Sequence, residues 1–435
     1  MLKAIFKISI QLLRFLRPKK SCCKTVALIL LSYGSASSQT FTFAQIADSI
    51  RINNPMLKMF DAQSAAYTNY ADGAKSWMPP QIGAGLFMTP YNVGMWKSDN
   101  MGNKGMGSMM LQAEQMIPNY SKLNAEKNYM QSMSNMEAAN KGVTLNQLLF
   151  EAKTNFYQWQ VLLKKSLIIQ ENISLLQYLK KSVEIRYKYG SQNSSTIYKT
   201  EAMIAEDSSM LIMLQGMMIE KNIMLNALMN RKTNTLFTVD TTMQISNSYT
   251  GNIDTASLQS NLSAFKLFDA QSNTLKLKRK FEKSKLKPEF GVQYAHMYTF
   301  GNQPQLYTLM GMMKLPIAPW SSKMSKSSIK GINNEIQAIE WQKQALLVEK
   351  KGALQGIASQ IQYKKQQLKN YHSAVIPALN KNYRTSLLAF EQNTGDLLSV
   401  QDALMSLKTA QMQEIDLYND LLLLQAQYEK ELEKY

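Results

Sequence analysis

The sequence is poor in the residues that build the common reactive centres. Its 435 positions hold two cysteines and two histidines. Cys22 and Cys23 are adjacent and precede an apolar run that reads as part of an export signal. With that signal removed, the chain has no means of forming a disulfide, a thiolate metal site or a cysteine nucleophile. His296 and His372 fall on different predicted elements, so a zinc or catalytic metal centre lacks paired ligands. Phosphate-cradling loops, nucleophile elbows and close acid pairs are missing too. No enzymatic activity and no cofactor are expected. Long hydrophobic runs are also absent beyond the N-terminus, where nothing reaches the roughly 18 consecutive apolar residues of a membrane-spanning helix. An exported chain of this kind enters a membrane only as a closed β-barrel.

Acidic residues are fewer than basic ones, 31 against 49, for a formal charge of +18. Much of that excess is N-terminal. Seven Lys/Arg and no Asp/Glu occupy residues 1–38, where a basic lead is followed by "TVALILL" and then by the small residues of "SYGSASSQ". This order predicts a secretory signal peptide over 1–38, cut ahead of Gln39. Its removal lowers the charge from +18 to +11, which scattered lysines on solvated helix surfaces account for. An export signal and the lack of any nucleic-acid-binding motif argue against nucleic acid as a partner.

What is present is a pattern written twice. "FDAQS" occurs at 60–64 and again at 268–272. At the same offset, Pro80 meets Pro288 and Gly83 meets Gly291. "QMIPNYSK" (115–122) answers "KLPIAPWSSK" (314–323), and "YGSQNSSTIYKTEA" (189–202) answers "FEQNTGDLLSVQDA" (390–403). An internal duplication is the economical explanation. The expected organisation is a first repeat over 39–232, a Thr/Ser/Asn-rich connection over 233–254 and a second repeat over 255–435. Each repeat reads as a helix, a strand pair and long helices. The strand pairs fall within 81–117 and 288–315, with strands near 81–92, 107–117, 288–300 and 305–315. The long helices fall within 120–231 and 321–435. Leu145, Leu149, Ala152, Phe156, Trp159 and Leu163 alternate steps of four and three, as a coiled-coil seam does, and Leu417, Leu421, Leu424 and Tyr428 do likewise. The segment from Tyr120 to Tyr189 lacks proline and predicts a helix about 100 Å long.

Taken together these features resemble the TolC family of outer-membrane efflux channels. "TFAQIADSIRINNP" (42–55) is similar to the family's opening helix with its Asn-Asn-Pro signature, and the stretches at 189–202 and 390–403 resemble its helical hairpin tips. The resemblance implies a mainly α fold with a small transmembrane part. In that fold a homotrimer contributes four strands per protomer to a twelve-stranded β-barrel, continued by a long α-helical coiled-coil barrel. It also implies a location in the bacterial outer membrane, in contact with its lipid and extending into the periplasm. The partners it implies are a periplasmic adaptor (membrane fusion) protein and an inner-membrane pump. The adaptor contact would involve the tip residues Gly190, Ser191, Thr394 and Gly395. In the family, acidic residues of the second tip narrow the opening; Asp402 matches one such position, and Ser399 stands where the other would be acidic. The alternative for Asp402 is a solvated charge on a helix.

Methionine is the unusual abundance, with 29 residues. Met101, Met106, Met109, Met110 and Met116 crowd the first strand pair, and Met310, Met312 and Met313 the second. Thioethers are soft ligands suited to Cu(I) and Ag(I), so these eight residues are candidates for a soft-ion path. Some family members serve heavy-metal pumps, which would make such ions the exported substrate. Met203, Met210, Met217 and Met224 recur at seven-residue steps and read instead as a coiled-coil seam. The functional readings are therefore an efflux exit duct for Cu(I) or Ag(I), a multidrug or type I secretion channel, or an exported Met-rich copper-binding coiled coil without a pore.

Overall fold

The computed structural model describes residues 40–99, 103–189, 193–241 and 255–435. Met101, Gly190, Ser191 and most of the expected connection, residues 242–254, lie outside these ranges.

The chain enters through β1 (Thr40–Phe41) and α1 (Phe43–Asn53). Thr42 and Gln45 form a reciprocal capping box at the start of α1, each side chain bonding the other's backbone N–H. Pro55 cannot continue that helix, and α2 (Pro55–Gly73) starts there with proline in its first turn. Asn54 accounts for the Asn-Asn-Pro signature physically. It is 5% exposed, its Oδ1 accepts from Met56 N at 2.9 Å and caps α2, and its Nδ2 donates to Leu228 O at 2.9 Å. Asn54→Ala is expected to cost about 1–3 kcal/mol, because a buried carbonyl and a helix N-terminus both lose their partner. A denaturation midpoint equal to that of the parent protein would contradict this role.

Four strands form one antiparallel sheet: β2 (Gln81–Phe87), β3 (Ser108–Ile117), β5 (Glu289–Thr299) and β6 (Leu306–Lys314), in the order β2-β3-β5-β6. The central β3–β5 pairing runs from Ser108↔Thr299 to Ile117↔Phe290 and joins the two halves of the chain. Strand β2 stops five residues short of the expected end at residue 92. Met88 takes a left-handed conformation (φ 47°) and Pro90 removes a donor, so the ladder breaks there.

Helix α3 (Tyr120–Lys188) spans 69 residues. Asn119 caps it and also donates to Pro288 O, which ties the helix start to the strand of the other half. It is followed by α4 (Ser194–Leu228), β4 (Thr238–Val239), α5 (Thr255–Asn261) and α6 (Ser263–Ser284). After the second strand pair come α7 (Pro319–Asn370), a π turn (Tyr371–Val375), α8 (Ile376–Glu391) and α9 (Leu397–Leu432). The π turn stands immediately ahead of Pro377, whose ring would clash with a carbonyl of the preceding turn in a regular helix.

Among the described residues, three separate apolar clusters lie along the helices in place of one central core. The first joins Ile46, Ile50, Leu57, Phe156 and Trp159 to Leu225 and Val239. The second packs Leu176, Leu179 and Val183 of α3 against Phe390, Val400 and Leu404. The third gathers Phe265, Leu354, Ile357 and Leu421. The predicted seam is visible in this packing, with Leu149, Ala152, Phe156 and Trp159 buried. Within one protomer the methionine stripe of α4 is not its most buried one, although Met203 packs against the second cluster. Met217 and Met224 are each 41% exposed, whereas Thr200, Asp207, Leu214 and Leu225 face inward. The buried positions keep the seven-residue step but start three residues earlier, because Asp207 and Thr200 find polar partners across the interface.

Within the connecting segment, Phe237 and Val239 are buried. β4 pairs in parallel with β1, and the side-chain amides of Asn222 and Asn226 hold the carbonyls of Phe237, Thr233 and Thr235. A sequence without periodicity is thereby fastened to α4 through its backbone. Among the described residues, α4 is long and apolar enough to cross a membrane. Gln215, Glu220, Lys221 and Asn222 interrupt its sequence, so no continuous apolar run marks it.

The two "FDAQS" copies occupy comparable places. Asp61 of α2 bridges to Lys141 of α3, and Asp269 of α6 bridges to Lys343 of α7, both at 2.6 Å. Their exposure makes each pair worth little in stability.

Candidate functional site: a two-faced sheet and a helical tip

Cross-strand partners share a face, so the register sorts every sheet residue. One face carries Ile82, Leu86, Leu111, Val292, Tyr294 and Leu309, and these side chains are exposed although apolar. The opposite face carries Gln81, Gln112, Glu114, Gln293, Thr308 and Lys314. A four-stranded sheet that is apolar on one side and polar on the other suits a wall between lipid and water. Both edge strands, β2 and β6, have a neighbour on one side only within the chain.

The same register divides the candidate methionines. Met110, Met116, Met310 and Met312 are on the polar face. Met109 and Met313 are on the apolar face, alternating with their neighbours as the pleat requires. Met106 lies in the loop ahead of β3, 55% exposed, with its N–H donated to Met95 O. Met297 joins the polar face directly opposite Met110. His296 lies on the apolar face, against Tyr298 with ring centroids 4.4 Å apart. Among the described residues no group of three or more His, Cys, Asp or Glu side chains is gathered as metal ligands.

At the far end of the helices, the turn between α8 and α9 is closed by its backbone. Thr394 and Gly395 both donate to Ala389 O, Asn393 is left-handed (φ 61°), and Asp396 accepts from Ser399 N at 3.0 Å as the cap of α9. Ser399 is thus a first-turn residue of α9, exposed to solvent. Asp402 is also exposed, and it borders a groove of about 430 Å³ that includes Tyr371, Val375, Met405 and Thr409. Arg186 of α3 reaches this tip, donating to Asn393 Oδ1 and Glu391 O with its guanidinium 4.1 Å from the Phe390 ring centroid. Further in, Asp207 is 1% exposed and accepts from Lys408 Nζ at 2.8 Å and from Asn172 Nδ2. Gln401 donates to Thr200 Oγ1 at 2.9 Å beside it. These polar contacts pin α9 to α3 and α4.

Residues 46–231 match the family model of outer membrane efflux proteins. The fold as a whole is similar to solved outer-membrane channels. The outer-membrane channel OprN superposes with a TM-score of 0.71 at 11% identity, covering 90% of either chain. CusC, solved in a study of transmembrane channel formation, gives 0.69 at 14%, covering 90% of this chain and 91% of its own. The outer membrane protein VceC from Vibrio cholerae gives 0.70 at 12%, over 90% and 95%. The family match covers residues 46–231, and the likeness to these channels extends over the fold as a whole. No curated relative matches the sequence.

The inter-hairpin contacts are what sequence reading missed. Arg186 carried no motif. Asp207 did carry a signal, because Thr200, Asp207 and Leu214 repeat every seven residues and place a carboxylate on a helix seam. A charge in that register calls for a cation on the facing helix.

Proposed function

We propose that three copies of this chain join their sheets edge to edge into a twelve-stranded outer-membrane barrel, the exit duct of a tripartite efflux system. The observation that carries this reading is the two-faced sheet with both edges unpaired within the chain. An isolated sheet in lipid would leave the backbone groups of β2 and β6 without partners, and closure by further copies satisfies them. The exposed surface argues the same way. Ile212, Met213 and Ile219 of α4 and Trp341 and Val348 of α7 are exposed apolar side chains that neighbouring protomers would cover.

In this reading the two halves, 39–232 and 255–435, descend from one duplicated unit. The helices continue the barrel as a periplasmic tunnel, and an adaptor engages the tips near Gly190, Ser191, Thr394 and Gly395. Asp402 and Ser399 stand at the constriction. The duct carries out no chemistry; an inner-membrane pump supplies the substrate and its energy. Cu(I) or Ag(I) is the substrate favoured by the methionines of the polar face, with drugs or secreted polypeptides as the competing cargo. A pore-free copper-binding coiled coil has no use for a sheet with one exposed apolar face. Protein purified in detergent should have the mass of a trimer and conduct ions as single channels in a planar bilayer. A water-soluble monomer without conductance would overturn the proposal.

A further inference from the structure

Methionine is unevenly divided between the two faces of the sheet. Met110, Met116, Met297, Met310 and Met312 are on the polar face, against Met109 and Met313 on the apolar one. If these side chains were hydrophobic filler, the excess would lie on the apolar face, where burial in lipid is favourable. An uncharged thioether among Gln112, Glu114, Gln293 and Thr308 gains little from water, so another interaction has to account for its placement.

The packing around Gly291 supplies that interaction. Met116, Gly291 and Met312 form one cross-strand row over β3, β5 and β6. A Cβ on residue 291 would lie 2.5 Å from Met116 Sδ and 3.4 Å from Met312 Cε. The two side chains therefore lean towards each other over bare glycine backbone from strands that are not direct neighbours. Met310 lies two residues from Met312 on the same face, in the next row, beside Gln293 and Glu114. Diagonal neighbours of this kind are within reach of long side chains.

We infer that Met116, Met310 and Met312 form a thioether binding station for a soft monovalent cation, Cu(I) or Ag(I), centred over Gly291. Thioethers are poor ligands for hard ions such as Na⁺ and Mg²⁺, so the station discriminates by softness, not by charge. Glu114, in the row beside it, adds a compensating negative charge. Met110 and Met297, direct cross-strand partners, provide a second, sparser stop about 20 Å further along β3. This inference rests on the duct reading only in taking the polar face as the wall along which cargo moves.

The test uses the full-length protein purified in detergent, carrying ¹³C-methyl methionine and titrated with silver nitrate in chloride-free buffer. Silver is chosen because it binds without a change of oxidation state. The methyl signals of Met116, Met310 and Met312 are expected to shift, while those of Met109 and Met313 stay in place. Met116→Leu with Met312→Leu, a change that conserves volume, should weaken Ag(I) binding about tenfold or more. Gly291→Val keeps all three thioethers but puts a side chain where Met116 Sδ lies, and should weaken binding similarly. If that variant fails to assemble, the leucine pair decides. Met109→Leu with Met313→Leu should bind as the parent does. Undiminished binding in the Met116/Met312 variant, or equal shifts at Met109 and Met313, overturns the station. Potassium conductance measured on the same preparations separates the two proposals. Conductance without Ag(I) binding removes the station and leaves the duct, whereas a non-conducting monomer removes the duct itself.

Discussion

Lys408→Met should loosen the contact between α9 and the first helical hairpin by about 3–5 kcal/mol, the cost of leaving a buried carboxylate without its cation. Asp207 is 1% exposed and its Oδ1 receives Lys408 Nζ at 2.8 Å. Asn172 still donates to the other oxygen, but a neutral amide does not offset a desolvated charge. The double change Asp207→Leu with Lys408→Met removes both charges and should recover most of the loss, since an apolar pair of similar volume fits a helix seam. Hydrogen-exchange protection of the amides in α4 and α9 measures both effects. If parting of these helices opens the duct, the single variant should also spend more time open in bilayer recordings, and the double variant should return towards the parent. Protection in Lys408→Met equal to that of the parent would show that the pair does not hold the helices together.

Phe390→Ala acts on the facing α8–α9 hairpin, through packing instead of charge. Phe390 is 1% exposed, sits among Leu176, Leu179, Val183, Val400 and Leu404, and carries the Arg186 guanidinium over its ring. Truncating a buried phenylalanine costs about 3–5 kcal/mol, and the Arg186 cation–π contact is lost with the ring. The loss should be local, because the second apolar cluster is separate from the other two. Exchange is expected to accelerate at the α8–α9 turn and the end of α3, while the amides around Trp159 keep their protection. A uniform loss of protection along all the helices would mean that the clusters unfold as one unit.

The amount legible in the sequence differs by element. Strand positions are readable because Pro80 and Pro288 stand immediately ahead of β2 and β5 and the residues after them alternate. The end of β2 is not, since nothing in the alternation announces a left-handed Met88. The long reach of α3 follows from its lack of proline, and the π turn follows from Pro377 only once the helix on both sides is known. At the candidate site, residue types could be named but their grouping could not. Met109 and Met110 are adjacent and must point to opposite faces, yet which face is polar depends on the residues of β5 opposite them.

The sequence by itself determined the chemical inventory. It confines cysteine to Cys22 and Cys23, supplies thioethers in excess, and specifies two strand pairs, long proline-free helices and an Asn-Pro junction between the first two helices. These are local properties, set by side-chain type and by spacing of two or 3.6 residues. The tertiary structure decided which residues meet: β3 with β5, Asp207 with Lys408, Arg186 with Asn393, and Met116 with Met312 over Gly291. Partners this far apart in the chain are chosen by the register of strands and the rotation of helices. A one-residue slip in register would exchange the two faces of the sheet and scatter the same methionines.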